Sequence, residues 1–298
     1  MTDAHSSGVA GVVAGGSVLV VKVGGRVQSA PALPAALAAA FAARRAAGAA
    51  LVVVHGGGDE ITALQHALGA TAKFVGGRRV TTERDIDTLR MALSGAANKR
   101  LVSSLVALNV PAVGISGEDA ALIAARRNAP ALGEVGAPAA INVALVRHLV
   151  AGGYLPVISP LARDAGAGDT AGALNVNGDD AAAAVAAALG ADELLFVADV
   201  AGVRLASGDV VPALDAAAVR DAIASGVAGG GMAAKLEAAS AAVAAGVRRV
   251  RIGAVDAIAD AALGTTVRGG AAQDERQQQH PHDPQHPSQQ QKNVSLAV

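Results

Sequence analysis

The sequence predicts an α/β protein with an open, mainly parallel sheet sandwiched between helices. Short apolar runs of strand length alternate along the chain with alanine- and leucine-rich runs of helical length. The strand-like runs are apolar at nearly every position, which is typical of parallel strands that helices cover on both faces. A chain of 298 residues can also bury a large core without disulfide support.

Six segments have the length and composition of buried strands. They are rich in β-branched and other apolar residues and are bounded by glycine, proline or polar residues. The predicted strands are Val18–Val23, Ala50–Val54, Pro111–Ile115, Leu155–Ser159, Glu193–Ala198 and Arg249–Ile252.

The segments between these strands predict helices, several of which begin at a capping residue. Asn177 and Asp215 stand where a helix N-cap is expected. Residues 71–80 and 120–128 are interpreted as hairpins instead. The predicted helices cover residues 31–47, 59–68, 82–108, 142–151, 179–189, 215–225 and 232–245.

Both ends of the chain differ in composition from the body at residues 17–270. Residues 1–16 are glycine-rich, and we expect them to be flexible. No lysine or arginine precedes Lys22, so the apolar start of the chain lacks the positive region of a signal peptide, and we expect a cytoplasmic protein without a membrane segment. Residues 271–298 are rich in glutamine, histidine and proline, and we expect them to be disordered.

The composition argues against several functional classes. Lysine and arginine number 24 against 25 aspartates and glutamates, so there is no basic surplus for binding nucleic acid or acidic lipid. Aromatic residues make up 1% of the chain, which excludes stacking platforms for single strands. Without cysteine, a thiolate metal site and a cysteine nucleophile are excluded as well.

Glycine-rich turns follow two of the predicted strands. VLVVKVGGR places Lys22 near the end of the first strand and Gly24 and Gly25 after it, and LVVVHGGGDE places Gly56–Gly58 after the second. Glycines at the carboxyl ends of parallel strands let backbone N–H groups approach an anion. Simple strand-to-helix turns are the alternative interpretation. No Gly-Lys pair occurs, so this is not a P-loop.

Charged and polar residues also stand where the pattern favours apolar ones. Burial of Lys22 within an apolar strand is unfavourable unless an anion faces it, and extension of its ammonium into solvent is the alternative. Lys235 lies early in a helix that follows a glycine loop, where a bound anion would compensate its charge. A chance position on a solvated helix face is the alternative. His55, beside three glycines, is interpreted as packed or hydrogen-bonded locally rather than as a ligand or base.

Two further clusters supply a carboxylate-binding group and an acid. GGRRVTT places Arg78 and Arg79 in a predicted hairpin, where a guanidinium fork suits a carboxylate and simple exposure to solvent is the alternative. LNVNGDDAA places Asn175 and Asn177 before a helix that begins near Asp179. With two lysines, glycine loops, one central acid and no candidate nucleophile, these groups favour phosphoryl transfer by positioning and charge stabilisation.

In these segments the sequence resembles the amino acid kinase superfamily, and within it the N-acetyl-L-glutamate kinases of arginine biosynthesis. The resemblance covers about residues 17–268. It rests on motifs that occur in the family's order, namely VVKVGG, VVVHGGG, GRRVTT, ANK, GGYLPVIS, LNVNGDDAA, ADVAGV and GGMAAKLEAA.

The resemblance implies roles for particular residues. Lys22 and Lys235 match lysines that stabilise charge on the transferred phosphoryl group, and Asp179 matches the aspartate that positions them. The matches to the acyl-amino-acid site are Gly57, Gly58, Arg79 and Asn175. The matches to nucleotide or phosphate contacts are Gly24, Gly25, Gly56, Asp199, Gly202, Gly229, Gly231 and Met232, and the N–H groups of the glycines in the first two turns are expected to face the ligands.

The resemblance further implies ATP with Mg²⁺ and the substrate N-acetyl-L-glutamate, whose γ-carboxylate would attack without a general base. We expect the phosphates to hold the Mg²⁺, so no residue is assigned as a metal ligand. Residues 17–172 would form the amino-acid lobe and residues 173–270 the nucleotide lobe. Because the region before Val18 lacks the long amphipathic helix of arginine-inhibited hexamers, we expect a homodimer that arginine does not inhibit.

Other functions stay open at this point. N-succinylglutamate and a carrier-linked aminoadipate present the same carboxylate, and the sequence does not identify the acyl group. A regulatory amino-acid-binding protein on the same fold is a third possibility, although loss of Lys22, Asp179 or Lys235 would be expected there and all three are present.

Overall fold

The computed structural model describes residues 16–168, 172–204 and 208–269. The predicted flexible N-terminus, apart from its last residue, and the predicted disordered tail at 271–298 lie outside the described residues.

The strands of the described chain fall into a large sheet and a small hairpin. In chain order they are β1 (Val18–Val23), β2 (Ala50–His55), β3 (Lys73–Val75), β4 (Arg78–Val80), β5 (Ala112–Gly117), β6 (Ile123–Arg127), β7 (Val135–Ile141), β8 (Leu155–Asp164), β9 (Ala173–Val176), β10 (Glu193–Val197), β11 (Ala213–Leu214), β12 (Arg249–Gly253) and β13 (Thr265–Val267).

The helices occupy the seven predicted segments, with small shifts at their ends. In chain order they are α1 (Leu33–Ala46), α2 (Gly58–Ala67), α3 (Glu83–Leu89), α4 (Asn98–Val106), α5 (Ala144–Ala151), α6 (Gly178–Leu189), α7 (Ala216–Ala224) and α8 (Gly230–Ala244). Throughout the described ranges, no helix is both long and apolar enough to cross a membrane.

The six predicted strands form the parallel centre of the large sheet, in the order β12-β10-β1-β2-β8-β5. The predicted fold class is therefore confirmed. β2, the next strand along the chain, pairs with β1 on one side, whereas β10, much later in the chain, pairs with β1 on the other side. The strand order therefore reverses at β1. In sheets of this kind, ligands bind at such a point, outside the carboxyl ends of the strands.

Alternate residues of β1 pack into two different hydrophobic cores, one on each face of the sheet. Leu19, Val21 and Val23 pack on the face that α1 and α4 cover. Val20 packs on the opposite face, against apolar side chains of α6 and α8. Because strand side chains alternate, Lys22 points to this same α6–α8 face.

Of the two predicted hairpins, one is confirmed and the other is wrong. β3 and β4 pair antiparallel within residues 71–80. Residues 120–128 instead contain the single strand β6, whose antiparallel partner is β7. β6 buries Ile123 and Ala125 and exposes its two final arginines, so its apolar run is too short to indicate a strand.

The long predicted helix at 82–108 is divided into three parts. α3 and α4 are joined by a π-helical stretch at Arg90–Ala97. Thr82 caps α3 in a reciprocal capping box with Asp85. Wide π-turns occur at functional sites more often than elsewhere, and Leu93 of this stretch lines the cavity described below.

A buried ion pair connects two of the central strands on the face away from α6. Arg251 of β12 is 2% exposed, and its Nε donates to Glu193 Oε1 of β10 at 2.6 Å. The guanidinium also donates to the carbonyls of Ala257, Asp260 and Leu263. The pair therefore fixes the loop after β12 to the sheet.

We expect Glu193→Gln to lower the free energy of unfolding by about 3 kcal/mol, because it leaves a buried guanidinium without its counter-charge. Urea denaturation measures the change. Arg248→Ala, which breaks the neighbouring surface pair with Asp192, is the control and should change stability by less than about 1 kcal/mol. Equal effects of the two changes would contradict a structural role for the buried pair.

Candidate active site

Lys22 lies in the centre of the sheet, near the carboxyl end of β1. Its register partners are Val54 on β2 and Phe196 on β10, and both are fully buried. The lysine itself is 7% exposed. An ammonium group in these surroundings requires a counter-charge, as the sequence predicted.

Asp179 supplies that charge from the first turn of α6. Its Oδ1 lies 2.7 Å from Lys22 Nζ. Asn177 caps the helix, accepting hydrogen bonds from the backbone N–H groups of Asp179 and Asp180 at 2.7 and 3.4 Å. The cap and the helix dipole both favour a carboxylate here.

Lys235 of α8 contacts the same carboxylate from the other side. Its Nζ donates to Asp179 Oδ1 at 3.0 Å and to Oδ2 at 3.2 Å. The Phe196 ring lies below the ammonium at 5.4 Å. The carboxylate therefore accounts for a lysine near a helix N-terminus, where the sequence indicated a bound anion.

Burial and charge shift the pKa values of this cluster in opposite directions. Burial alone would raise the pKa of Asp179, but Lys22 and Lys235 more than offset it and hold that pKa below its ordinary value. Burial, reinforced by repulsion from Lys22, lowers the pKa of Lys235 to about 8. At neutral pH Asp179 is therefore ionised and Lys235 carries a positive charge.

A cavity of about 220 Å³ opens beside Lys22. Part of its wall is apolar, formed by Ile61, Phe74, Leu93 and Val176. Among the predicted site residues, the cavity brings together Lys22, Gly25, Gly56, Gly57, Gly58, Arg79, Asn175 and Asp179.

Arg79 is held against α2 by neutral acceptors. Its Nη2 donates to the Gly58 carbonyl at 2.8 Å and to Thr62 Oγ1 at 2.7 Å, and Nη1 donates to Gln65 Oε1. Phe74, its cross-strand partner in the hairpin, stacks on the guanidinium at 4.8 Å. The arginine is thus fixed in place without a direct carboxylate contact.

The glycine turns after β1 and β2 meet at the floor of the cavity. A Cβ atom on Gly25 would lie 3.3 Å from the Gly57 nitrogen and 3.2 Å from the Gly58 nitrogen. Glycine at position 25 therefore leaves a space beside these amides at the start of α2. Such a space suits an anion.

Two glycines of these turns do not have the predicted geometry. Gly24 N–H donates to the carbonyl of Val197, and Gly56 N–H donates to that of Val23. The expectation that these N–H groups face a ligand is wrong, because the strand ends already use them. Any contact that Gly24 or Gly56 makes with a ligand must come through other atoms.

Asn175 completes the wall opposite α2. It lies on β9, and its Nδ2 donates to Thr81 Oγ1 at 2.9 Å, which connects β9 to the segment after the hairpin. Arg78, also at the cavity, reaches across to Asp180 of α6 at 2.8 Å.

His55 is a buried structural residue, as predicted. Its Nδ1 bonds to the Gly56 carbonyl at 2.8 Å, and its Nε2 lies 3.1 Å from Asn98 Nδ2. Asn98 also donates to the Val157 carbonyl at 2.9 Å. Burial lowers the pKa of His55 to about 4, so the ring is neutral and accepts from Asn98 at physiological pH.

The predicted nucleotide residues of the second half lie outside this cavity. Asp199 follows β10 and pairs with exposed Arg26 at 2.9 Å. Gly202 is a close-packing position, since a Cβ there would lie 2.7 Å from Thr265 Oγ1. The others stand at or near the start of α8, namely Gly229 at its N-cap, Gly231 and Met232. Their nucleotide role stays a prediction.

Sequence reasoning missed several residues of the site. Gly178 was not singled out, yet a Cβ there would lie 3.3 Å from Lys22 Cε. Thr62 and Gln65 hold Arg79, and their helical spacing of three residues placed them on one face of α2. Arg78 and Asp180 were visible in the motifs, but nothing in the sequence indicated that they pair.

A family model for the amino acid kinase family matches residues 17–254. Among curated relatives, acetylglutamate kinase of Paracoccus denitrificans is 43% identical over 199 residues, 67% of this chain and 64% of that one. Acetylglutamate kinase of Roseobacter denitrificans is 42% identical over 67% of this chain and 68% of that one. The chain thus spans about two thirds of the length of these relatives.

Solved structures support the same fold. A protein from Streptococcus mutans, 28% identical, superposes with a TM-score of 0.72 over 84% of this chain and 98% of its own. Carbamate kinase from Giardia lamblia, 15% identical, has a TM-score of 0.63 over 86% of this chain and 99% of its own. The second likeness concerns the fold alone.

We expect Asp179→Asn to destabilise the fold by about 3 kcal/mol at pH 7, because it leaves two buried ammonium groups without a counter-charge. Burial and repulsion from Lys22 would then lower the pKa of Lys235 without the opposing carboxylate. The loss should therefore shrink as the pH rises and Lys235 releases its proton. Urea denaturation at several pH values measures this.

Asp180→Asn is the matched control for that experiment. It removes a carboxylate from the same helical turn and leaves the paired lysines intact. It breaks only the partly exposed pair with Arg78, which should cost less than about 1 kcal/mol. A loss in Asp179→Asn that does not change with pH would contradict the assigned charge state of the cluster.

Proposed function

The chain belongs to the amino acid kinase family, and we propose that it transfers the γ-phosphoryl group of ATP to the γ-carboxylate of N-acetyl-L-glutamate. The products are N-acetyl-L-glutamyl 5-phosphate and ADP, as in a cytoplasmic step of arginine biosynthesis. The curated relatives that are 41–43% identical are named acetylglutamate kinases, which supports this substrate.

The observation that carries the proposal is the charge balance of the cavity. Lys22 and Lys235 share one carboxylate, which leaves one positive charge beside the cavity. Arg79 contacts only neutral acceptors, while Asp85, bonded to Gln65, and Asp59 interact with its charge without direct contact. A ligand with negative charge at both places is therefore favoured.

The two positive centres suit the two ends of an acyl glutamate. Arg79 would hold the α-carboxylate, with Asn175 on the facing wall. The γ-carboxylate would then face Lys22, where the phosphoryl group arrives. The apolar wall of Ile61 and Leu93 leaves room for an uncharged acyl group.

The chain contributes positioning and electrostatics to this reaction. The γ-carboxylate of glutamate has a pKa near ~4.3 and is ionised at neutral pH, so no base is needed to activate it. The obstacle is repulsion between this carboxylate and a polyphosphate. That repulsion would be offset by Lys22, Lys235 and the amides of Gly57 and Gly58. Their effect would be strongest in the transition state, when negative charge spreads over the oxygens of the transferred phosphoryl group.

Asp179 holds both lysines in place before the ligands arrive and favours the charged form of Lys235. Its carboxylate orients the two ammonium groups toward one region, so little reorganisation is required on binding. It contacts the lysines rather than the substrate in this arrangement, and we assign it a positioning role.

Mg²⁺ would lower the charge of the bound polyphosphate. Within the described residues no group of three or more His, Cys, Asp or Glu side chains is arranged to hold a metal. Held by phosphate oxygens and water, as is its habit in phosphoryl-transfer sites, the ion would need no such group.

Three expectations remain predictions. They are the division into an amino-acid lobe at 17–172 and a nucleotide lobe at 173–270, the homodimer, and the insensitivity to arginine. β9 (residues 173–176) pairs with β7 and β8, so the large sheet is continuous across the predicted boundary.

Acyl phosphate formation, trapped as a hydroxamate, tests the proposed function. We expect ATP-dependent product with N-acetyl-L-glutamate and little with N-succinyl-L-glutamate, free glutamate or aspartate. Lys22→Ala and Lys235→Ala should each lower kcat roughly 100- to 1,000-fold, because each removes a cation that faces the transferred charge.

The control is Lys73→Ala, which removes an exposed cation from the hairpin. Turnover of N-succinyl-L-glutamate or of a carrier-linked substrate alone would support the same mechanism with a substrate other than the proposed one. Binding of N-acetyl-L-glutamate without turnover of any of these compounds would favour a regulatory amino-acid-binding protein.

The lowered pKa of Lys235 predicts a pH dependence. Since the ammonium form is the active one, kcat/KM for ATP should fall as the pH rises past about 8. The fall in kcat should come at higher pH, because bound phosphates favour the protonated lysine. Rates between about pH 6.5 and 9.5 measure both profiles.

Lys235→Arg is the informative comparison, since a guanidinium stays charged over this range. Its residual activity should lack the fall near pH 8. An unchanged profile in that variant would assign the titration to another group.

A further inference from the structure

The β3–β4 hairpin forms one wall of the cavity but has little packing of its own. All three residues of β3 are exposed, with Phe74 at 55% and Val75 at 53%. A two-stranded hairpin is only marginally stable without support from elsewhere. A backbone bridge fixes the residue after β4, where Thr81 N–H donates to the Leu132 carbonyl and the Thr81 carbonyl accepts from Glu134. The position of the hairpin over the cavity therefore depends on this bridge and on the side chains of β4.

The two arginines of β4 anchor the hairpin on opposite sides. Arg79 donates to the Gly58 carbonyl, Thr62 and Gln65 of α2. Arg78 points the other way, as its neighbouring position in a strand requires, and its Nη1 donates to Asp180 Oδ2 of α6 at 2.8 Å. The two anchors thus join both walls of the cavity through β4.

The partner of Arg78 is itself held in place. Asp180 lies in the first turn of α6, next to Asp179, and its backbone N–H contacts the Asn177 cap. The helix N-terminus favours a carboxylate at this position. The side chains of Arg78 and Asp180 are 27% and 22% exposed, so solvent screens the pair only in part.

We propose that Arg78 is a positioning residue that, through its ion pair with Asp180, holds the β3–β4 hairpin over the acyl-amino-acid cavity. The pair neutralises Arg78, so this arginine does not compete with Arg79 for a substrate carboxylate. It also places the mouth of the cavity and the turn that bears Asp179 at a fixed separation. The consequence is tighter binding of the amino-acid substrate rather than faster chemistry.

The kinetic part of this proposal rests on the proposed function. Arg78→Leu and Asp180→Asn should each raise KM for N-acetyl-L-glutamate about fivefold, the loss expected for a partly exposed ion pair. We expect kcat and KM for ATP to stay within about twofold of the unchanged protein. Initial rates at saturating ATP, and then at saturating N-acetyl-L-glutamate, separate these effects.

Combined variants test whether Arg78 and Asp180 affect KM as one ion pair or independently. Arg78→Leu with Asp180→Asn should have no higher KM than either single variant. The exchanged pair, Arg78→Asp with Asp180→Arg, should regain much of the loss, and Arg78→Lys should lie between Arg78→Leu and the unchanged chain. Lys73→Leu is the control on the same hairpin and should have no effect.

Amide hydrogen exchange tests the proposal without any substrate. In the ligand-free protein the amides of residues 73–80 should exchange faster in Arg78→Leu and Asp180→Asn than in the unchanged chain or Lys73→Leu. Raising the salt to about 0.5 M should narrow this difference. Failure of the unchanged protein to turn over N-acetyl-L-glutamate would overturn the proposed function, while the exchange experiment would still decide whether the pair holds the hairpin.

Unchanged exchange at 73–80 in both variants would overturn the inference. So would additive rises of KM in the double variant. A parallel fall of kcat with a rise of both KM values would also overturn it, since that pattern indicates general loss of structure around the site.

Discussion

A lysine ammonium within the central strand of a parallel sheet must have a counter-charge, and much of the site's arrangement meets that requirement. Lys22 points to the α6–α8 face because of the alternation along β1, so the counter-charge has to come from those helices. Asp179 provides it from a helix N-terminus, where a carboxylate is stable. A second lysine from α8 then shares the same carboxylate, which joins strand and both helices at one point.

The surrounding turns follow from the same geometry. The carboxyl ends of β1 and β2 converge beside Lys22, and both continue into glycine turns that leave room next to the amides of α2. His55 is neutral and hydrogen-bonded to Asn98, so it fixes the end of β2 without adding charge to the site. The cavity thus has the lysine–aspartate cluster on the α6 side and, on the α2 side, Arg79 held by neutral acceptors.

The sequence predicted the parts of this molecule whose residues carry a local signal. The six parallel strands were predictable because they are buried on both faces and therefore apolar throughout. β6 and β7 were not, because their residues face the core only in part and are dominated by alanine, arginine and a proline. β9 was not, because it has only four residues and one of them is the polar Asn175. Lys22, Asp179 and Lys235 were identifiable as charges in apolar or helix-start surroundings. Three features depend on long-range geometry, which no local pattern encodes: the pairing of Arg78 with Asp180, the backbone hydrogen bonds of Gly24 and Gly56, and the close approach of Gly178 to Lys22.

The alanine content of α6 limits the substitutions that this protein can accept in evolution. The inward face of the helix consists of alanines and one valine, all buried between the sheet and α8. Small side chains bring the helix axis close to β1, which is what lets the short side chain of Asp179 reach Lys22. Any larger residue on that face would separate helix and sheet and lengthen the contact. Evolutionary change there must therefore occur in compensated pairs, with an enlargement on α6 matched by a reduction on the sheet or on α8, while the exposed faces of the protein vary independently.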